Sequence, residues 1–106
     1  MTFTLNIRTA AERAEEAAKL ARAAAKAECA RRITAVADIV TQTNLLAASQ
    51  TGQLSEAEQA TFLAGHQWIR AMQAAWPLLV ESGADIHDDA NWPAVPAGVV
   101  ALAEAY

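Results

Sequence analysis

The sequence predicts a mainly α chain: a long helix, a second helix antiparallel to it in an αα-hairpin, an N-terminal β-strand and a short C-terminal helix. Three observations carry this. From Ala10 to Gln50 there is neither Gly nor Pro, and Ala, Glu, Lys, Arg and Leu dominate the first half of that stretch, which are the strongest helix formers. Thr9-Ala10-Ala11-Glu12 and Ser55-Glu56-Ala57-Glu58 each set a Glu three residues after a hydroxyl, the pattern of a capping box that satisfies two orphan amides reciprocally. Gly52 and Gly83 stand just past the two helical stretches, where a left-handed residue ends a helix at no steric cost. A chain of 106 residues has the size of one domain. It divides into a strand or arm (1–9), a long helix (10–51), a second helix (55–82) and a Pro-containing tail with a short helix (83–106).

The strand is read from alternation. Phe3, Leu5 and Ile7 fall on one face of residues 2–8, and Thr2, Thr4, Asn6 and Arg8 on the other, the period of a half-buried strand. No second strand follows it in the sequence, and unpaired backbone groups need partners. The segment is therefore expected to add to another chain's sheet edge, to pair with its own copies, or to remain an unpaired tail.

In the long helix a seam runs through Ala11, Ala14, Ala18, Ala21, Ala25, Cys29, Ile33, Val36, Val40, Thr43 and Ala47. Its spacings of three and four describe a coiled-coil-like stripe, locally unwound by the consecutive fours around Cys29. Ala fills its first half, so helices can approach closely there but bury little. The second helix carries a heavier seam of Phe62, Gly65, Ile69, Met72, Trp76 and Leu79 and is expected to supply the core. Pro77 is expected to kink this helix or divide it after Ala75. The short Gly-containing turn makes the two helices antiparallel neighbours. The second covers only the later part of the first, leaving about 14 residues after Ala10 without an intrachain partner. In the tail, Pro93 and Pro96 impose extended backbone before them, and Pro96 suits the first turn of a short helix through Val99, Leu102 and Ala103. Trp92 and Leu102 are expected to fold back on the hairpin.

Charge and composition exclude several functions. Lys and Arg number 8 against 12 acids, a net charge of −4; nucleic-acid binding needs clustered basic residues, and no nucleic-acid partner is expected. The charge is polar along the chain. Residues 1–32 hold seven basic residues against four acids, +3, and residues 33–106 hold Arg70 against eight acids, −7, which suits packing between copies. No stretch has the ~20 apolar residues of a membrane span, and the N-terminus lacks signal-peptide order. The single Cys29 cannot form an internal disulfide and reads as a small buried residue.

No catalytic constellation is visible. Asp85, His87, Asp88 and Asp89 offer hard ligands but lack the ordered spacing, central Gly and late Glu of a calcium loop, so a solvated acidic loop is the reading. His66 has no zinc-spaced partner, and Ser55 is accounted for by its cap. There is no GxSxG, phosphate loop or CxxC, and neither an enzyme nor a cofactor is expected. Helical spacing puts Trp76 in the core and leaves Trp68 open between core and interface. The candidate interface residues are Phe3, Leu5 and Ile7 in an intermolecular sheet, Ala14, Ala18 and Ala21 in helix association, and Trp68.

Arg31-Arg32-Ile33 through Gln42-Thr43-Asn44-Leu45, then Leu54-Ser55 and Trp68-Ile69-Arg70-Ala71-Met72, resemble a helical hairpin that recurs in small tail and tail-fibre-associated proteins of bacteriophages and prophages. The resemblance covers about half the chain, and the N-terminal strand and the Trp92-Pro93 tail depart from it. It implies a virion structural role in a tail or tail fibre, reached after synthesis in the host cytoplasm, with copies of the chain or other tail proteins as partners. It also implies that Gln42 and Asn44 satisfy polar groups at the helix seam. The alternative is a non-virion chaperone or adaptor that holds a client with the same surfaces.

Overall fold

The computed structural model describes residues 9–106. Four α-helices follow in order: α1 (Ala10–Val36), α2 (Ile39–Gln50), α3 (Glu56–Ser82) and α4 (Val99–Glu104). A single 3-10 turn at Asp89–Asn91 lies between α3 and α4. The expected fold class needs correction in one component: among the described residues every regular element is helical and no strand occurs. A strand requires a paired edge for its amides and carbonyls, and none is offered there. The segment 2–8, with Phe3, Leu5 and Ile7, lies outside the described residues.

The helix ends follow local chemistry. The Thr9 hydroxyl accepts from the Glu12 amide at 3.0 Å and donates to the Glu12 carboxylate at 3.1 Å. Ser55 and Glu58 form a complete capping box, at 3.1 Å and 2.9 Å, and Gly83 closes α3 at φ 67°. Such caps satisfy the amides and carbonyls that a helix end leaves without intrahelical partners.

The single long helix expected over 10–51 is instead two helices, broken at Ala37 and Asp38. Asp is a poor helix-interior residue and a strong N-cap, because its short carboxylate competes for nearby amides. Here the Asp38 carboxylate accepts from the Thr41 amide at 2.8 Å. Ala37 leaves the helical region at φ −147°, and the side-chain amide of Gln42 donates to its carbonyl at 2.8 Å. The break changes the phase of the seam. Ala25, Cys29 and Ile33 are buried as spaced, but in α2 the buried residues are Leu45 and Ala48 while Val40, Thr43 and Ala47 are exposed.

α3 runs unbroken through Pro77, so of the kink or division expected there the division after Ala75 does not occur. Proline deprives the carbonyl four residues earlier of its amide, and that residue, Gln73, is at an exposed position, where the cost of a missing donor is smaller than in the core. α3 lies antiparallel to the α1–α2 pair: Ser49 meets Gln59 near one end, and the Arg22 guanidinium stands over the Trp76 ring, 5.1 Å from its centroid, near the other.

The core is Cys29 and Ile33 of α1, Trp68 and Met72 of α3, and Trp92 of the tail. Met72 is its most enclosed side chain, 1% exposed. Both buried indoles also anchor the tail: Trp68 Nε1–H donates to the Pro93 carbonyl at 3.0 Å and Trp92 Nε1–H to the Ile86 carbonyl at 2.8 Å. A buried indole needs such an acceptor. Val99, Leu102 and Ala103 of α4 cover the other end of α3 together with Leu45 and Ala48. The described residues extend 70 × 28 × 17 Å.

Candidate functional site

Three surfaces bear on function. The first is the N-terminal half of α1. From Ala10 to Ala24 every residue is exposed, and Ala25 is the first buried one. Ala14, Ala18 and Ala21 lie on this exposed stretch, with Leu20 at 62% exposure. An Ala-rich helix of this length is marginal by itself in water, and its continuity with the packed half of α1 holds it in place.

The second is an apolar cleft of about 250 Å³ where α1, α2, α3 and α4 meet. Ile33 and Val36 of α1, Leu45 of α2, Phe62 and Ile69 of α3, and Val99 and Leu102 of α4 line it. Ile39 and Leu46 also line it and remain 66% and 45% exposed. Gly65 adds to the room: its missing side chain leaves the Val99 methyls 3.6 and 3.7 Å from a Cβ position. The break at Ala37–Asp38 creates this feature, because it turns the α2 seam away from the line of α1. His66 sits at the cleft, with its ring edge-on to Phe62 at 4.6 Å between centroids.

The third is an ionic knot under the acidic tail. Glu28 is 7% exposed, a burial that a carboxylate tolerates only when paired. Arg31 grips it through Nε and a second guanidinium nitrogen, and Arg32 Nε donates to it at 2.8 Å. The hydrogen bonds from Arg31 hold the Glu28 carboxyl down to about 2, with the charge of Arg31 and the bond and charge of Arg32 adding to this, against the upward push of burial. Arg32 reaches on to Asp89 at 2.7 Å and stacks over Trp92, 5.3 Å from the ring centroid. Its other nitrogen donates to the Ile86 carbonyl at 3.4 Å.

The acidic tail is accordingly tied to the body. Asp85 accepts from the His87 amide at 2.9 Å, Asp88 from the Ala90 amide at 3.0 Å, and Asp89 is the partner of Arg32. Among the described residues no group of three or more His, Cys, Asp or Glu is placed to hold a metal ion. Cys29 is buried, and burial pushes its thiol up from the usual value, which disfavours the thiolate.

Of the candidate interface residues, Ala14, Ala18 and Ala21 stand together on the exposed half of α1. Trp68, left open between core and interface by its spacing, is 5% exposed, and its indole is used inside the fold. Its neighbour on the helix face, Met72, belongs to the same core, so a wide apolar stripe turns Trp68 inward. Phe3, Leu5 and Ile7 lie outside the described residues. Gln42 donates to the Ala37 carbonyl at the break between α1 and α2, and the exposed Asn44 donates to the Tyr106 carbonyl at 3.1 Å.

Sequence reasoning missed the cleft and the ionic knot. The knot had a local signal, because Glu28 and Arg32 are four residues apart and face each other on a helix. The cleft had none, since it depends on the phase change at Asp38. Among the described residues no helix is long and apolar enough to cross a membrane. Compared with known proteins, the chain matches no family model, no curated relative and no solved structure.

Proposed function

We propose that this chain is a structural assembly component that works through protein–protein contact rather than catalysis, with copies of itself as its first partner and a phage tail or tail fibre as its setting. The observation that carries the self-association is the exposed half of α1: Ala14, Ala18 and Ala21 form one small-residue face on a helix that outruns the buried core. Small residues let two helices approach closely. The separation of charge, +3 over residues 1–32 and −7 over residues 33–106, favours contact between the first third of one copy and the body of another. The tail setting is supported by the resemblance of residues 31–45, 54–55 and 68–72, and by nothing in the geometry. The open cleft favours a second reading, an adaptor or chaperone that holds an apolar segment of a client during assembly.

Light scattering over a range of protein concentrations tests the first reading. The wild type is expected to show a mass that is a multiple of 11.2 kDa, and Ala14→Glu/Ala18→Glu/Ala21→Glu is expected to weaken association at unchanged helicity, since Glu keeps the helix propensity high. A wild type monomeric at every concentration would sink self-assembly and leave the adaptor reading.

A further inference from the structure

We propose that the apolar cleft between α1, α2, α3 and α4 receives the apolar residues Phe3, Leu5 and Ile7 of a second copy of this chain. The inference rests on the self-association reading and names the residues that would carry it.

The occupant follows from reach and chemistry. Ile33, the first cleft residue along α1, stands 24 residues beyond Thr9, about 36 Å along the helix at 1.5 Å per residue. Phe3 precedes Thr9 by six residues, a span of at most about 22 Å when fully extended. A chain therefore cannot place Phe3, Leu5 or Ile7 in its own cleft. A second copy is under no such limit.

The space suits the cargo. The cleft holds about 250 Å³, and a cavity of about 150 Å³ walled by aliphatic and aromatic groups already accepts a benzene ring. Phe62, Leu45 and Val99 present such a wall, and Ile39 and Leu46 at the mouth remain exposed in the single chain. Covering them and burying a Phe ring is favourable by transfer from water alone. The cleft is lined without Asp, Glu, Lys or Arg, and Arg8 is the one charged side chain of residues 1–8, so an apolar insertion there buries no charge. Contact of an arm with a distant patch on the next copy either closes by reciprocal exchange in a dimer or continues from copy to copy.

Complementation decides the matter. One variant, Phe3→Ser/Leu5→Ser/Ile7→Ser, keeps the cleft and loses the arm. The other, Ile39→Asp/Leu46→Asp, keeps the arm and loses the cleft mouth; both of its positions are exposed, and Ile39 is the first residue of α2, where a carboxylate suits the helix dipole. Circular dichroism melts check that each is folded. At a concentration where the wild type is at least about nine-tenths associated, each variant alone is expected to show the mass of a single chain. An equimolar mixture is expected to recover a species of twice 11.2 kDa. If both variants associate as the wild type does, the cleft is not the receptor and this inference falls, while self-association through α1 stands. If both variants are monomeric and the mixture stays monomeric, the arm and cleft do not meet each other, and the inference is again overturned. A wild type that never associates removes both this inference and the reading beneath it.

Discussion

Acidification should act on this fold through Glu28 more than through its solvent-exposed carboxylates. The Glu28 carboxyl is lowered from 4.5 to about 2, first by its hydrogen bonds to Arg31. Because the folded value lies below the unfolded one, the paired carboxylate stabilises the fold fully above pH ~4.5, and that contribution is lost as pH falls toward 2. At about 1.36 kcal/mol per unit the ceiling is about 3 kcal/mol. Arg31 is 63% exposed, so solvent screens the leading interaction and about 1–2 kcal/mol is the expected size. Glu28→Gln keeps the shape and an acceptor oxygen but not the charge. Urea unfolding followed by tryptophan fluorescence, for wild type and variant at several pH values, separates this group from the other acids. The variant should be less stable by about 1–2 kcal/mol at pH 7, and the gap should close between pH 4.5 and 2. A gap that stays constant down to pH 2 would mean that the variant acts through packing and that the ionic account is wrong.

Met72→Ala should cost about 2–5 kcal/mol in unfolding free energy by denaturant titration, since Met72 is 1% exposed and joins α1, α3 and the tail. Trp68→Phe removes the donor that meets the Pro93 carbonyl and should cost about 1–3 kcal/mol in the same titration; no loss would show that the carbonyl finds water instead. Arg32→Met keeps much of the stem but frees Asp89 and leaves the Ile86 carbonyl to Trp92 alone, so limited proteolysis should cut within residues 85–91 several-fold faster. An unchanged cleavage rate would show that the two indoles suffice to hold the tail.

Some of the architecture was legible because its causes are local. The Ser55 box, the Thr9 cap and the Gly83 stop are settled within four residues of sequence, and the later residues Ala25, Cys29 and Ile33 of the α1 seam are buried at the spacing read from the sequence. Asp38 was legible in principle as an N-cap, but nothing local says whether a single Asp breaks a helix or is carried on its exposed face. The answer depends on where Leu45 and Ala48 find cover, which is the side of α3 and α4.

The candidate site divides along the same line. The exposed Ala face of α1 could be anticipated from mismatched helix lengths, because rise per residue is a fixed quantity. The burial of Trp68 could not: a residue at the edge of a helical stripe is turned in or out by what packs beside it, and here that is Pro93, 25 residues later. The cleft is more remote still, since it exists only where four helix surfaces fail to fill the space among them. By itself the sequence determined the helix termini, the charge asymmetry and the supply of apolar residues, all properties of short range or simple composition. Only the tertiary structure decided the phase of α2, the fate of Trp68, the partners of Glu28 and the room between the helices, because each of these is set by contacts between residues far apart in the chain.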